Sequence, residues 1–183
     1  MKVAVIGAGT MGSGIAQAFA QSDAVEKVYL CDIKQEFADG GKAKIKKSLD
    51  KRVAKGKMEQ AAEDALLGKI VTGLSDIAVD PDLVVEAVLE KMDLKHETFK
   101  KLQDEIVKNP DCIFASNTSS LSITEMGNGL KHPVIGMHFF NPVPSMKLVE
   151  VIRGANTTQE TFDFIYNLSK EIGKEPVEVA EAP

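Results

Sequence analysis

The order of elements along the chain predicts an α/β fold with a doubly wound, mostly parallel sheet. Short apolar segments typical of buried strands alternate with amphipathic helical segments, and glycine or proline turns separate them. No repeat or low-complexity linker interrupts this alternation. The 183 residues are 44% hydrophobic and 27% charged, which is enough to bury one core, so we expect a single domain over residues 1–183.

The first predicted strand passes directly into a glycine-rich turn. The apolar run 3–6 is followed by Gly7-x-Gly9-x-x-Gly12, with Thr10 and Met11 between the last two glycines, and a helix is expected over 11–21. In a strand–turn–helix of this spacing the backbone can approach a pyrophosphate closely, and unpaired helix N–H groups face the anion. The turn therefore predicts a Rossmann-like dinucleotide site.

An acidic residue closes the second predicted strand. Asp32 lies 20 residues after Gly12, where a carboxylate can bind both hydroxyls of the adenosine ribose. This carboxylate would repel a 2′-phosphate and no arginine follows it, so NAD is favoured over NADP, although Lys34 weakens that preference. A turn with a purely structural role is the less favoured alternative.

A basic helical hairpin is expected over about 36–68, as an excursion after the second strand. Its apolar face is expected to hold Phe37, Ile45, Leu49 and Val53.

The later elements follow from periodicity and turn residues. Strands are predicted at 70–73, 83–86, 113–116, 134–138, 147–152 and 176–179, and helices at 92–108, after a capping box at Ser122, and after another at Thr157.

Positive charge is concentrated in this hairpin. The chain has a net charge of −5, yet residues 42–57 carry eight lysines or arginines and one aspartate, a local charge of +7. A solvated helix face is the usual meaning of such a run, and an anionic ligand is the functional alternative. No aromatic residues interleave the lysines, so nucleic acid is not the expected partner.

A histidine and a carboxylate are predicted to pair across a hairpin. A turn centred near Pro144 joins residues whose numbers sum to 288, which places His138 opposite Glu150. A carboxylate in an otherwise apolar strand needs a partner, and a histidine would be a suitable one. A carboxylate that pairs with an imidazole fixes its tautomer and favours its protonated form, as a general base requires after taking a proton. The polar residues 117–120 follow another strand, at the edge where open α/β sheets bind ligands.

The remaining reactive side chains indicate neither a metal nor a secretory environment. His96 and His132 are expected at the surface, and the histidines and cysteines form no clustered ligand motif, so no metal is expected. Cys31 and Cys112 lie in predicted buried strands and indicate core thiols of a reducing compartment, the cytoplasm. Glycines interrupt the N-terminal apolar run, and no segment reaches the roughly 18 apolar residues that span a bilayer.

The chain resembles the L-3-hydroxyacyl-CoA dehydrogenase family, and within it the bacterial 3-hydroxybutyryl-CoA enzymes. The likeness runs in the right order from the first strand to the last residue. Four segments carry it: GAGTMGSGIA from Gly7, VVEAVLEKMDLK from Val84, FASNTSSL from Phe114 and HFFNPVPSMKLVEVI from His138. The last two are far more specific than a glycine pattern.

The resemblance implies a role for each matched position. The catalytic histidine and its orienting glutamate match His138 and Glu150, the substrate-binding serine matches Ser119, and the active-site asparagine matches Asn141. Glu90, Lys95 and Asn117 match residues that contact NAD. Ser48 and Lys55 match residues that touch coenzyme A, whose phosphates would explain the basic hairpin.

The implied reaction is hydride transfer between C3 of a 3-hydroxyacyl thioester and the nicotinamide, with His138 removing the hydroxyl proton. In the family, a helical C-terminal domain follows this point, closes over the thioester and forms the dimer interface. The sequence ends at Pro183, where that domain would begin. We therefore expect a fragment that binds NAD with weak or no turnover alone, and a homodimer only when the C-terminal domain is present.

Two other functions stay open. An NAD-linked dehydrogenase of small β-hydroxyacids shares the glycine-rich start, but it would rely on a lysine base, and the HFFNP turn with Glu150 weighs against it. A non-catalytic NAD-binding module is the other.

Overall fold

The computed structural model describes residues 1–181; positions 182 and 183, the end of the predicted domain, lie outside the described residues. A single-turn 3₁₀ helix lies at Ser75–Ile77. The strands are β1 Lys2–Ile6, β2 Lys27–Cys31, β3 Ile70–Gly73, β4 Leu83–Glu86, β5 Ile113–Ser116, β6 Val134–Phe139, β7 Leu148–Arg153 and β8 Glu175–Ala180. The helices are α1 Thr10–Ala20, α2 Gln35–Ala54, α3 Gln60–Lys69, α4 Met92–Lys101, α5 Ile123–Met126 and α6 Gln159–Glu171, and α4 continues into a π-helical turn at Leu102–Ile106.

All eight strands form one sheet, in the order β3-β2-β1-β4-β5-β6-β7-β8. Every neighbouring pair is parallel except β6 and β7, which form an antiparallel hairpin. The predicted doubly wound, mostly parallel fold is therefore confirmed, including the helical excursion after β2 and the strand at the β8 edge.

The winding of the chain reverses between β1 and β4. From β1 the chain builds β2 and β3 outward on one side, and it then returns to place β4 on the other side of β1. Open α/β sheets leave a ligand crevice at the carboxyl ends of the strands where the order reverses. Ile6 ends β1 and is in register with Glu86, which ends β4, so the glycine turn and the segment after Glu86 line this crevice.

Apolar side chains cover both faces of the sheet. Successive residues of a strand point to opposite faces. Val3 and Val5 belong to a buried cluster that contains Phe19 of α1. Ala4 lies in the second cluster, with Phe99 of α4. The central strands are thus buried on both sides, as continuous apolar runs in a parallel sheet require.

The expected apolar face of α2 is wrong at its first position. Ile45 and Leu49 are buried, but Phe37 is 45% exposed. The buried stripe starts at Ala38 and continues three residues later at Gly41, so Phe37 is rotated off the stripe by one position, about 100°. A Cβ at Gly41 would lie 2.9 Å from the Cβ of Ala8, so α2 here passes directly over the glycine turn.

Two smaller expectations are also corrected. The hydroxyl of Thr158, and not that of Thr157, caps α6 by accepting a hydrogen bond from the amide of Thr161. The sequence offers two adjacent threonines, and the helix begins one residue later than predicted. His96 and His132 are half-buried rather than surface residues. Nδ1 of His132 lies 2.8 Å from the carbonyl oxygen of Cys112, and its ring centroid lies 4.4 Å from that of Phe114.

Within residues 1–181, no helix has both the length and the apolar character that crossing a membrane requires.

Close packing of β1 against α1 depends on the last glycine of the turn. A Cβ at Gly12 would lie 1.7 Å from the carbonyl oxygen of Gly7, and Gly7 itself has a φ of +103°. A Cβ at Gly9, in contrast, would meet nothing within 4 Å. Gly12 is therefore required for the fold, and Gly9 leaves the space in front of the turn open.

Substitution of Gly12 by alanine is expected to lower the free energy of unfolding by about 2 kcal/mol or more, because α1 must move away from β1. Gly9→Ala is the matched control, and we expect a loss below about 1 kcal/mol. Urea unfolding followed by circular dichroism measures both. Equal stability of the two variants would contradict the packing argument.

Candidate functional site

Asp32 holds the glycine turn from the end of β2. Its Oδ2 accepts a hydrogen bond from the amide of Ala8 and its Oδ1 accepts one from the amide of Ile33, both at 2.7 Å. Each carboxylate oxygen retains a second lone pair that a ribose hydroxyl can use. Asp32 therefore both shapes the turn and faces the place where an adenosine ribose would bind.

The first turn of α1 is free to bind an anion. Gly9 precedes the helix and offers no side-chain cap, so the first amides of α1 have no capping partner in the turn. The open space over Gly9 gives a ligand access to these amides. Together with the carboxylate of Asp32, this cradle fits the pyrophosphate and ribose of NAD.

A cavity of about 340 Å³ adjoins the glycine turn at the carboxyl edge of the sheet. The loops and strand ends after β1, β4, β5 and β6 contribute to its wall. Six residues that the sequence singles out line it: Met11, Glu90, Asn117, Ser119, His138 and Asn141. The predicted cofactor and catalytic positions are thus brought together in one crevice.

His138 and Glu150 face each other across the β6–β7 hairpin, and the predicted pairing is confirmed. They are direct register partners, and Nδ1 of His138 lies 2.8 Å from Oε2 of Glu150. The side chains are 17% and 30% exposed. The ring of Phe140 packs beside the imidazole, with centroids 4.6 Å apart. Since Nδ1 is engaged by Glu150, Nε2 is the ring nitrogen left for a ligand in the cavity.

Asn117 and Ser119 are held by their backbone neighbours. The side-chain oxygen of Asn117 accepts a hydrogen bond of 2.8 Å from the amide of Phe139, which joins the end of β5 to the end of β6. The amide of Ser119 donates to Oε1 of Glu90 at 3.0 Å, and the hydroxyl of Thr118 also donates to that carboxylate. The polar loop after β5 is therefore anchored to the loop after β4.

A buried ion pair lies behind the cavity. Lys95, 1% exposed, donates from Nζ to Oε1 of Glu86 at 2.7 Å and to the carbonyl of Val88 at 3.2 Å, and it lies 3.2 Å from Oε2 of Glu90. Glu86 is fully buried and also accepts a bond of 2.6 Å from the hydroxyl of Ser116. The ammonium of Lys95 thus donates two hydrogen bonds and lies within ion-pair distance of a second carboxylate, so Lys95 supports the crevice wall from inside.

The two glutamates of this network have pKa values shifted in opposite directions. Burial raises the pKa of the Glu86 carboxyl, and the charge of Lys95 offsets only part of that rise. Burial acts in the same direction on Glu90, but the hydrogen bond from Thr118 and the charge of Lys95 outweigh it, so the pKa of Glu90 is lowered. Glu90, at the mouth of the cavity, is therefore the carboxylate that stays ionised most readily.

Sequence reasoning missed Glu86, Ser116 and Thr118. A usable signal existed for Glu86, which is a single carboxylate in an apolar strand, as Glu150 is. Ser116 and Thr118 offered no such signal, because a hydroxyl in a strand or loop is common.

The proposed coenzyme A residues are only partly brought together. A second cavity, of about 170 Å³, lies between α1, α2 and the loop after β6; Thr10, Ser48 and Asn141 line it, together with Lys44. Asn141 thus contributes to both cavities. Lys55 lies just past the last residue of α2, exposed, and it lines neither of them.

Comparison with known proteins identifies the family. Residues 2–182 match the family model for the NAD-binding domain of 3-hydroxyacyl-CoA dehydrogenase. The chain belongs to the 3-hydroxyacyl-CoA dehydrogenase family. The recognised resemblance is thereby confirmed, and NAD is the cofactor of this domain.

Relatives of known name agree with this assignment. The chain is 50% identical to the 3-hydroxybutyryl-CoA dehydrogenase of Clostridioides difficile, over 100% of this chain and 65% of that protein. It is 41% identical to the mitochondrial hydroxyacyl-coenzyme A dehydrogenase of Rattus norvegicus, over 99% of this chain and 59% of that protein. The chain therefore spans less than two thirds of the length of these relatives.

Solved structures match the fold over the whole chain. The 3-hydroxybutyryl-CoA dehydrogenase of Escherichia coli K12 superposes with a TM-score of 0.92 at 37% identity, over 100% of this chain and 39% of that chain. The (S)-3-hydroxybutyryl-CoA dehydrogenase of Ralstonia eutropha gives 0.90 at 41% identity, over 100% of this chain and 64% of that one. In the dehydrogenase family this chain corresponds to the N-terminal domain.

The buried ion pair between Lys95 and Glu86 in this dehydrogenase domain predicts how substitution of either residue changes the free energy of unfolding. We expect Lys95→Met to cost about 3–5 kcal/mol, because it leaves Glu86 charged and without its partner. Adding Glu86→Gln is expected to recover part of that loss. Lys100→Met is the matched control, since that exposed lysine on α4 pairs only with Asp104, and it is expected to change stability by less than about 1 kcal/mol.

The loss in Lys95→Met depends on pH. Without Lys95, the folded chain holds the proton of Glu86 more tightly than the unfolded chain does. Stability then falls as pH rises above the unfolded glutamate pKa of about 4.3 and through the higher folded-state pKa. Urea unfolding between pH 4 and pH 8 measures this slope, and a flat difference from the unsubstituted chain would contradict the assignment of Glu86.

Proposed function

We propose that this chain is the cofactor-binding domain of an NAD-dependent enzyme that interconverts 3-hydroxyacyl-CoA and 3-ketoacyl-CoA. 3-Hydroxybutyryl-CoA is the expected substrate, because the relative of highest identity named above and both solved structures carry the name of that compound. The single observation that carries the proposal is the bond from His138 to Glu150 at a cavity that adjoins the glycine turn.

His138 supplies the proton chemistry. NAD, when bound, accepts or supplies the hydride. Glu150 holds Nδ1, which fixes the imidazole orientation and leaves Nε2 to take the proton of the 3-hydroxyl. The carboxylate then stabilises the imidazolium that forms. In the reverse direction the same nitrogen returns the proton to the 3-keto oxygen.

Polar side chains around His138 orient the substrate. Ser119 and Asn141 line the same cavity as His138, so both can hold the oxygen at C3, while Asn117, which also lines it, would contact the bound NAD. Asn141 also borders the second cavity. A thioester whose reacting end lies at His138 can therefore extend past Asn141 toward Ser48.

The basic hairpin suits the anionic end of coenzyme A. Lys44 and Ser48 border the second cavity, and Lys55, just past the end of α2, could contact a phosphate beyond the pantetheine arm. Lysine binds phosphate as a point charge and needs no fixed geometry. This supports an anionic ligand over a purely solvated face.

A lysine-based dehydrogenase of small β-hydroxyacids is the weaker alternative. In the described part of the chain, no lysine borders the cavity that contains His138. Lys95, behind the wall, has its ammonium engaged by Glu86, Glu90 and the carbonyl of Val88. A lysine base would need a free amine at the substrate.

The oligomeric state and the cellular compartment are two further parts of the proposal. We infer a homodimer for the protein when it carries the C-terminal domain of its family. We also infer a cytoplasmic location. Its support is that Cys31 and Cys112 are buried free thiols, and burial raises the pKa of each to about 12, which keeps both unreactive.

Cofactor binding is tested with the chain alone. NADH is expected to bind more tightly than NADPH, and Asp32→Ala is expected to weaken NADH binding about 10- to 100-fold, because a charged acceptor for the ribose hydroxyls is lost. Asp23→Ala, on the exposed turn before β2, is the control. NADH fluorescence titration measures the affinities. An Asp32→Ala variant with unchanged NADH affinity would count against the cofactor assignment.

Catalysis is tested in a protein that also carries the C-terminal domain of the family. There, His138→Ala is expected to reduce acetoacetyl-CoA-dependent NADH oxidation by about 10²- to 10⁴-fold, because the proton donor is lost. NADH affinity is expected to stay unchanged, and His96→Ala serves as the histidine control. Full turnover by the His138→Ala variant would rule out this residue as the base.

A further inference from the structure

Lys174 is a buried lysine without an acidic partner. It follows Gly173 at the join between α6 and β8, and it is 8% exposed. Among residues 1–181, no carboxylate forms an ion pair with its ammonium, and burial lowers the pKa of this group. Placing a cation in such an environment is unfavourable unless strong acceptors surround it. Those acceptors therefore indicate what the side chain does.

Both acceptors are carbonyls of the loop after β6. Nζ of Lys174 donates to the carbonyl oxygen of Val143 at 2.5 Å and to that of Met146 at 2.9 Å. The loop forms one helix-like turn, in which the carbonyl of Pro142 accepts from the amides of Ser145 and Met146. Carbonyls at the end of such a turn lack donors within it, and a lysine there satisfies them and interacts favourably with the aligned dipoles.

This turn also packs on α1. A Cβ at Gly14 would lie 2.8 Å from the Cβ of Val143, and Val143 is 2% exposed. The loop is thus held by two contacts, the packing of Val143 on α1 and the hydrogen bonds from Lys174 to its carbonyls. Asn141 directly precedes the loop and borders both cavities.

We propose that Lys174 is a positioning residue for the acyl-CoA reaction. Its ammonium holds the loop Pro142–Met146 against α1, and this places Asn141 in the wall that the two cavities share. The inference rests on the proposed function for the role of Asn141. It predicts that loss of the ammonium affects the substrate side of the crevice and spares the NAD cradle, which Asp32 and α1 form without this loop.

The first test is amide hydrogen exchange in the 183-residue chain, followed by NMR. In Lys174→Met, the amides of Ser145 and Met146 are expected to exchange about tenfold faster, because their turn opens locally. The side-chain amide resonances of Asn141 are expected to shift as well. Lys174→Arg, which keeps the charge and the donors, is expected to restore most of the protection.

Lys147→Met is the matched control. That lysine lies at the end of the same loop, and its side chain is 73% exposed and pairs only at 3.5 Å with Glu175. We expect its exchange pattern to match that of the unsubstituted chain. Uniform acceleration across the whole sheet in Lys174→Met, or unchanged exchange of Ser145 and Met146, would overturn the proposal. So would a failure of Lys174→Arg to restore protection.

Substrate binding separates this inference from the proposed function. With NADH saturating, Lys174→Met is expected to weaken acetoacetyl-CoA binding about tenfold, with NADH affinity unchanged. Weakened NADH binding by the same factor would contradict a role limited to the substrate side. Acetoacetyl-CoA binding is measured in a protein that also carries the C-terminal domain of the family. If that protein fails to bind acetoacetyl-CoA with Lys174 in place, the proposed substrate is refuted, while the exchange measurement on the 183-residue chain still decides the role of Lys174.

A measurement on the unsubstituted chain guards against variants that fail to fold. Ammonium protons of a buried, hydrogen-bonded lysine exchange slowly enough for a ¹H–¹⁵N spectrum, whereas those of exposed lysines do not. We expect a slowly exchanging Nζ signal that couples through space to Val143 and Met146. Absence of any protected lysine signal near this loop would overturn the proposal.

Discussion

The contact between Gly12 and the carbonyl of Gly7 is the constraint on which the other parts of the crevice depend. It brings α1 against β1, where a Cβ would lie 1.7 Å from the carbonyl oxygen. Two further glycines then let other elements approach α1: Gly14 admits Val143 of the loop after β6, and Gly41 brings α2 over the turn at Ala8. The glycine turn, the loop after β6 and the basic hairpin therefore come together around α1, because a glycine at each contact permits the close approach.

Glu86 and Glu150 are both carboxylates in apolar strands, and they differ in burial and in their partners. Glu86 is fully buried and has a lysine, a serine hydroxyl and a backbone amide as partners, so its charge state is held by fixed neighbours. Glu150 is 30% exposed and has a histidine as its partner. A histidine that exchanges a proton with a ligand must remain accessible, and the carboxylate behind it must tolerate both charge states. The difference in exposure supports the proposal in which the first pair belongs to the wall of the crevice and the second takes part in the reaction.

Local and short-range features of this chain could be predicted from the sequence. The strand bounds 70–73, 83–86 and 113–116 are confirmed, and so is the pairing of His138 with Glu150, because one tight turn sets the register of a hairpin. Features that depend on distant contacts could not be predicted. Periodicity did not show on which side of α2 the stripe from Ala38 begins. Lys174 contacts a carbonyl 31 positions earlier, and nothing in the residues near it indicates that acceptor. The roles inferred for the catalytic and binding side chains stay predictions.

The two halves of the crevice are built from different kinds of contact. The cradle for the pyrophosphate and ribose of NAD uses backbone amides, Asp32 and glycines from the first 32 residues, so its geometry is largely complete once β1, α1 and β2 have packed. The substrate side is assembled from β6, the loop that carries Asn141, β7 and the lysine before β8, and it depends on contacts between residues far apart in the chain. Long-range contacts of this kind open at a lower free energy when one of them is lost. The same fold can therefore keep its affinity for NAD while the position of Asn141 changes, which, under the proposed function, separates binding of the cofactor from orientation of the thioester.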